Sequence, residues 1–236
     1  MGTATIPKLL TKGDEIRIVA PASAVQKDYI DKSVVALSGL GYKTTVGKYV
    51  FSEDNQFAGT DEERLRDFQD AVNDQKVKAV FCARGGYGSS RIIDKIDFSD
   101  FRSNAKWIVG FSDITVFHSL MNCTYNIATI HSPMPVNSES SYFASNLKQL
   151  DEILRGKRND IQIPYHPLNR KGQSRGKITG GNLSILHNLQ STPFEIKTEN
   201  TVLFIEDMGE QLYHLDRMLN NLLLSGKFLK RPGRIM

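Results

Sequence analysis

The chain has 236 residues, enough for one large domain or two small ones. With 40% hydrophobic and 24% charged residues it is an ordinary globular composition. A net charge of +4 from 30 basic and 26 acidic side chains, with no Lys/Arg block, gives no footprint for nucleic acid or for an anionic membrane. No stretch approaches the roughly 18 apolar residues of a membrane span, Met1 to Pro7 show neither the basic nor the apolar region of a leader, so none is expected, and the two cysteines, Cys82 and Cys123, lie in apolar runs and are expected to be buried free thiols. A cytoplasmic protein is expected.

In chain order, Glu15 to Ala20 alternates and then turns fully apolar, predicting a strand that enters a buried sheet and breaks at Pro21-Ala22-Ser23. A helix with Ile30, Val34 and Leu37 on one face follows, then a second strand from Lys43 to Val50. Thr60-Asp-Glu-Glu63 is a capping box that opens a helix burying Leu65, Phe68, Ala71 and Val72. Val77 to Ala83 reads as a third strand, followed by Arg84-Gly-Gly-Tyr-Gly-Ser-Ser90 and a short helix over Arg91 to Phe98. Trp107 to Phe111 is a fourth strand. It stops at Ser112-Asp113, and Ile114, Phe117, Leu120 and Met121 then recur at helical spacing. Ile127 to Ile130 predicts one more strand, ending at His131. A breaker-rich stretch around Asn137 to Ser141, a helix near Asn146 to Arg155 and a polar segment from Gly156 to Gly176 come next. Beyond them lie Gly180-Gly-Asn-Leu183, a buried strand Thr201 to Glu206, and a helix Gln211 to Ser225 with Leu212, Leu215, Leu219, Leu222 and Leu223 inward.

Strands alternating with helices predict an α/β fold, with an N-terminal, mostly parallel sheet flanked by helices and a smaller β-rich α/β C-terminal part that reads as incomplete. The expected divisions are 1–138, a linker over 139–175, and 176–236. Ligand sites in such sheets lie beyond the carboxyl ends of the strands, where Ser23, the Arg84 loop and Ser112 would all fall.

Strand, sharp turn and helix with a serine at the turn is the geometry of a nucleophile elbow, although Gly110-Phe-Ser-Asp113 is not the Gly-x-Ser-x-Gly form and Ser112 also suits a helix N-cap. The Arg84 loop reads as a phosphate cradle, as a backbone N–H donor loop facing Ser112 with Arg84 free to grip a carboxylate, or as a tight turn. Glu206 closes an apolar strand, either as a solvated helix-capping acid or as an acid that orients a histidine. Of the five histidines, His118 and His187 sit in helical patterns beside apolar residues, and none is an evident base for Ser112. Neither cysteine has a partner at metal-ligand spacing.

Together these stretches are specific. Phe57-Ala-Gly-Thr-Asp-Glu-Glu-Arg64, Cys82-Ala-Arg-Gly-Gly-Tyr-Gly-Ser89, Gly110-Phe-Ser-Asp-Ile-Thr115, Gly180-Gly-Asn-Leu183, Leu203-Phe-Ile-Glu206 and Leu215-Asp-Arg-Met-Leu219 resemble, in order and over nearly the whole chain, the LD-carboxypeptidase family of serine peptidases. The resemblance implies a Ser–Glu–His triad with Ser112 as nucleophile and Glu206 as triad acid. It places the oxyanion donors at the backbone N–H groups of Asp113 and of the Gly85-Gly86 loop. Arg84 would bind the substrate carboxylate, with no metal or cofactor. The implied substrate is a small peptide, murein tetrapeptide, cut before its terminal D-alanine during cell-wall recycling in the cytoplasm; a homodimer is expected. The related alternatives are a hydrolase of aminoacyl sulfamoyl nucleotides of the microcin C self-immunity type and an inactive binding remnant. The family's histidine follows the long helix, whereas no histidine follows His214 here. The 236-residue form is therefore expected to be inactive, with its second sheet left open at one edge near Arg234-Ile-Met236. Ser112 and Glu206 are expected to face a common cleft with an empty place between them, His131 being the one histidine placed where it could approach.

Overall fold

The computed structural model describes residues 4–157 and 160–228. Five strands form one wholly parallel sheet in the order β2-β1-β3-β4-β5: Glu15–Val19 (β1), Lys43–Val46 (β2), Val77–Cys82 (β3), Trp107–Gly110 (β4) and Ile130–His131 (β5). Because side chains alternate across a strand, each strand feeds two cores. Val80 and Cys82 join Ile108 against Phe68, Ala71 and Val72 of helix α2 (Asp61–Asn73) and Phe117 and Leu120 of α3 (Thr115–Leu120). Ala79 and Phe81 join Trp107 and Val109 on the other face, under Ile30 and Leu37 of α1 (Lys27–Gly39) and Leu147, Leu150 and Leu154 of α4 (Phe143–Leu154). The Phe68 and Phe117 rings stack at 4.3 Å between centroids. The architecture is thus α/β, a parallel sheet covered by helices on both faces.

A second, two-stranded parallel sheet pairs β6 (Lys177–Asn182) with β7 (Thr201–Glu206), placing Asn182 opposite Glu206. Helices α5 (Leu183–Asn188) and α6 (Leu212–Leu224) pack on it through a small cluster of Leu183, Met218 and Leu222. The unit meets the main sheet at Gly181, where any Cβ would overlap the Thr115 side chain; the Thr115 hydroxyl accepts the Asn182 amide at 3.0 Å. Only glycine permits that approach.

Several elements depart from expectation. Arg91–Phe98 is not a helix but two short 3₁₀ turns, Ser89–Arg91 and Ile93–Lys95, because Gln69 captures the Asp97 amide (2.7 Å) and carbonyl (2.9 Å) and draws the chain off a helical path. The second strand stops at Val46, and the strand expected over Ile127–Ile130 shrinks to Ile130–His131. The fourth helix begins at Phe143 rather than near Asn146. In α6 Met218 and Leu222 are buried and Leu215 packs against them as expected; Leu212 is 84% exposed, and Leu219 and Leu223 are also exposed. Cys123 is half-buried rather than buried, its sulfur accepting the Lys197 amide at 3.3 Å. The capping box holds: Glu63 N donates to Thr60 Oγ1 at 3.2 Å and Thr60 N to Glu63 Oε2 at 2.9 Å. No helix among the described residues is long and apolar enough to cross a membrane. The open sheet edge expected near Arg234 to Met236 lies outside the described residues.

Candidate active site

Loops after β1, β3 and β4 meet at the carboxyl edge of the sheet, next to the point where strand order reverses between β1 and β3, the usual place for a ligand in this strand order. Ser112 follows β4 with φ +60, a left-handed conformation that costs a non-glycine residue energy and persists only where the surroundings impose it. A 3₁₀ turn over Ser112–Ile114 then runs into α3. The strand end is pinned from below, since Gly110 O accepts both the Ser132 amide (3.1 Å) and His118 Nε2 (2.8 Å). His118 therefore carries its proton on Nε2. Burial holds its pKa down to about 4, with the nearby His131 adding to the effect, so it is a packed histidine that steadies the turn.

The Arg84 loop packs directly on this turn. A Cβ placed on Gly85 would lie 2.9 Å from Ser112 Cβ, 3.1 Å from Ser112 Oγ and 3.2 Å from Asp113 N. Gly86 has φ +94, and a side chain there would overlap the Ser23 hydroxyl. Ser23 in turn holds the loop, its amide donating to Gly85 O (3.2 Å) and its hydroxyl accepting the Tyr87 amide (3.3 Å). Among the described residues no backbone carbonyl accepts the Gly86 or Asp113 amide. These two N–H groups are available to a ligand oxygen. Buried Arg64 braces the loop's end, donating from Nη1 to Pro21 O (2.8 Å) and Gly88 O (3.0 Å). Arg84 is exposed, with Nη1 donating to Ala24 O at 2.6 Å.

The facing wall comes from the second sheet. Arg84, Gly85, Gly86 and Ser112 on one side and Asn182, Ser184, Glu206, Asp207 and Glu210 on the other line one cleft of about 370 Å³. Burial raises the Glu206 pKa and the charge of Asp207 adds to this, against a hydrogen bond from the Asn182 side chain. Glu206 Oε1 is buried with no hydrogen-bond partner among the described residues. His131 Nε2 lies 3.9 Å from it, a contact but not a hydrogen bond. Burial among Phe111, His118 and Phe204 takes the His131 pKa down to about 4, so the ring is neutral at pH 7. No described histidine hydrogen-bonds Ser112, and His214 is instead paired with Glu210 at 2.5 Å. Among the described residues no three or more His, Cys, Asp or Glu side chains cluster as a metal-ion site would need.

All the residues expected at the site thus line or adjoin one cleft. Asn182 and the Asp113 side chain were not singled out as site residues. The pair Gly180-Gly181 ahead of Asn182 was the available signal, since consecutive glycines in a strand mark close backbone approach. Asp113 gave none: a buried acid at the start of a helix reads as an ordinary first-turn residue.

The chain matches the LD-carboxypeptidase N-terminal domain over residues 16–132 and the LD-carboxypeptidase C-terminal domain over residues 175–236. It is 37% identical to a probable murein peptide carboxypeptidase of Bacillus subtilis (strain 168) over 96% of this chain and 72% of that protein. Two solved structures share the fold. One, of muramoyltetrapeptide carboxypeptidase from Oxalobacter formigenes, is 30% identical with a TM-score of 0.81 over 90% of this chain and 72% of that one. The other, of an MccF-like protein from Bacillus anthracis str. Ames, is 25% identical with a TM-score of 0.84 over 95% of this chain and 78% of that one. The chain belongs to the LD-carboxypeptidase family.

Proposed function

We propose that the cleft is the site of a serine carboxypeptidase that releases the terminal D-alanine of murein tetrapeptide. The observation that carries this reading is the left-handed Ser112 at the end of β4, facing Glu206 across one cleft beside two unengaged amides. Ser112 attacks the scissile carbonyl. The oxygen gathers negative charge and is met by the Asp113 and Gly86 amides, fixed donors that need no reorganisation. Arg84, at the mouth of the cleft, takes the terminal carboxylate. Glu206 orients the imidazole that relays the Ser112 proton to the leaving amine. Likeness to the murein peptide carboxypeptidases named above supports the substrate. A second reading, hydrolysis of aminoacyl sulfamoyl nucleotides, draws on the fold shared with MccF, whose structure was solved in complex with glutamyl sulfamoyl guanosine.

An imidazole must reach both Ser112 and Glu206, and among the described residues none does. His131 comes within 3.9 Å of Glu206 alone and is held by the aromatic rings around it. A serine without a base is a poor nucleophile. A polypeptide of these 236 residues is therefore proposed to bind tetrapeptide and release no D-alanine. The test is chromatography of tetrapeptide incubated with that polypeptide. Release that disappears in both Ser112→Ala and His131→Phe would show that His131 serves as the base and would overturn this part of the reading. Cytoplasmic location and a homodimer, like the division into 1–138, 139–175 and 176–236, stand as further parts of the proposal.

A further inference from the structure

The Asp113 carboxylate is 1% exposed, an expensive place for a charge unless it does something an apolar side chain could not. Its Oδ2 accepts the Ser89 amide at 2.8 Å. Ser89 closes the Arg84 loop, so this bond spans from the turn that bears Ser112 to the loop that bears Gly86. The other anchors of the loop lead elsewhere. Arg84 and Ser23 tie it to the segment after β1, and Arg64 ties it to α2. Among the described residues, Ser89 is the only one of residues 84–89 that hydrogen-bonds the Ser112-Asp113 turn.

We propose that Asp113 is a positioning residue. Its side chain fixes the glycine loop against its own backbone, so that the Gly86 and Asp113 amides converge on one oxygen. One residue then sets both donors: the first is its own N–H, the second hangs on its carboxylate. Without the tether the loop keeps its bonds to Ser23 and Arg64 but loses its register with Ser112. A spread of even about 1 Å between preorganised donors costs heavily in a developing oxyanion and little in a neutral carbonyl.

This inference rests on the serine-peptidase reading, and the test separates the two. The probe is a phosphinate analogue of murein tetrapeptide, with a tetrahedral phosphinate in place of the scissile amide, compared with tetrapeptide itself. Both are titrated calorimetrically into Ser112→Ala, so that neither is consumed. The expected result is a phosphinate bound at least about 100-fold tighter than tetrapeptide. Adding Asp113→Ala should cut that ratio at least tenfold while leaving the tetrapeptide Kd within about threefold. Asp113→Asn keeps an acceptor for the Ser89 amide and should recover most of the ratio. Should Asp113→Ala fail to fold, Asp113→Ser retains a polar group too short to reach Ser89 and is expected to behave as Ala. An undiminished ratio in Asp113→Ala or Asp113→Ser overturns the inference. So does equal loss in Asp113→Asn, which would make the charge, not the tether, the active feature. Absence of any phosphinate preference before Asp113 is touched would instead overturn the serine-peptidase reading, and this inference with it.

Discussion

The two walls of the cleft are built differently. The nucleophile wall is closed on itself: Ser23, Arg64, Asp113 and His118 are all buried, and each holds a named backbone group of the loops around Ser112. The acid wall is open. Glu206 ends a strand of a two-stranded sheet, its Oε1 lacks a partner among the described residues, and the helix behind it buries only Met218 and Leu222 while Leu212 stands 84% exposed. The strain at Ser112 has a scaffold that can sustain it within 4–132, whereas Glu206 is held by little more than Asn182 and the strand itself. The lesson is that the two halves of one site need not be equally preorganised.

Substitutions can break this contrast. The largest effect is expected on the closed wall. Arg64→Ala removes a buried guanidinium bonded to the Pro21, Gly88 and Gly59 carbonyls and paired with Asp61; urea denaturation should show a loss of about 3–5 kcal/mol. A loss below about 1 kcal/mol would mean that the loop is not braced as described.

Acid comes next. His118 has a folded pKa of about 4 against about 6.5 unfolded, so the unfolded chain takes up the proton first as pH falls. The stability His118 confers is complete above about pH 6.5 and drains away towards pH 4, by about 3 kcal/mol. His118→Gln, which can still donate to Gly110 O, should flatten the dependence of the urea midpoint between pH 7 and pH 5. An unchanged slope would contradict the packed, neutral assignment.

The smallest effect, of opposite sign, belongs to the open wall. Glu206 has a raised pKa, so its charge weighs against folding at pH 7. Glu206→Gln should leave stability unchanged or raise it by up to about 1 kcal/mol. A clear destabilisation would show that Glu206 is as firmly built in as Arg64.

Much of the closed wall was legible in the sequence because its signals are local. The capping box at Thr60, the apolar run Trp107 to Phe111 broken by Ser112, and the glycines after Ala83 each state a backbone conformation within a few residues. The open wall was less legible. Five leucines at helical spacing in α6 predict an inward stripe, yet periodicity cannot say how much of a stripe finds a partner, and Leu212, Leu219 and Leu223 stay exposed. The turns at Ser89–Lys95 carry the reverse lesson: Ile92, Ile93 and Ile96 are buried as in a helix, but the distant Gln69 decides the backbone path. The Asp113 tether to Ser89 is tertiary and carries no periodic or motif signal at all.

The measurement closest to the central claim is calorimetric titration of the 236-residue polypeptide with murein tetrapeptide, its C-terminal amide and an aminoacyl sulfamoyl adenosine. Arg84 is exposed, so its pairing with the terminal carboxylate is set at the low end for a charge-assisted bond, about tenfold in Kd. The account predicts that the free acid binds about tenfold tighter than the amide, that Arg84→Met removes this difference, and that the nucleotide binds more weakly than either. Equal binding of acid and amide, or a preference for the nucleotide, would contradict it.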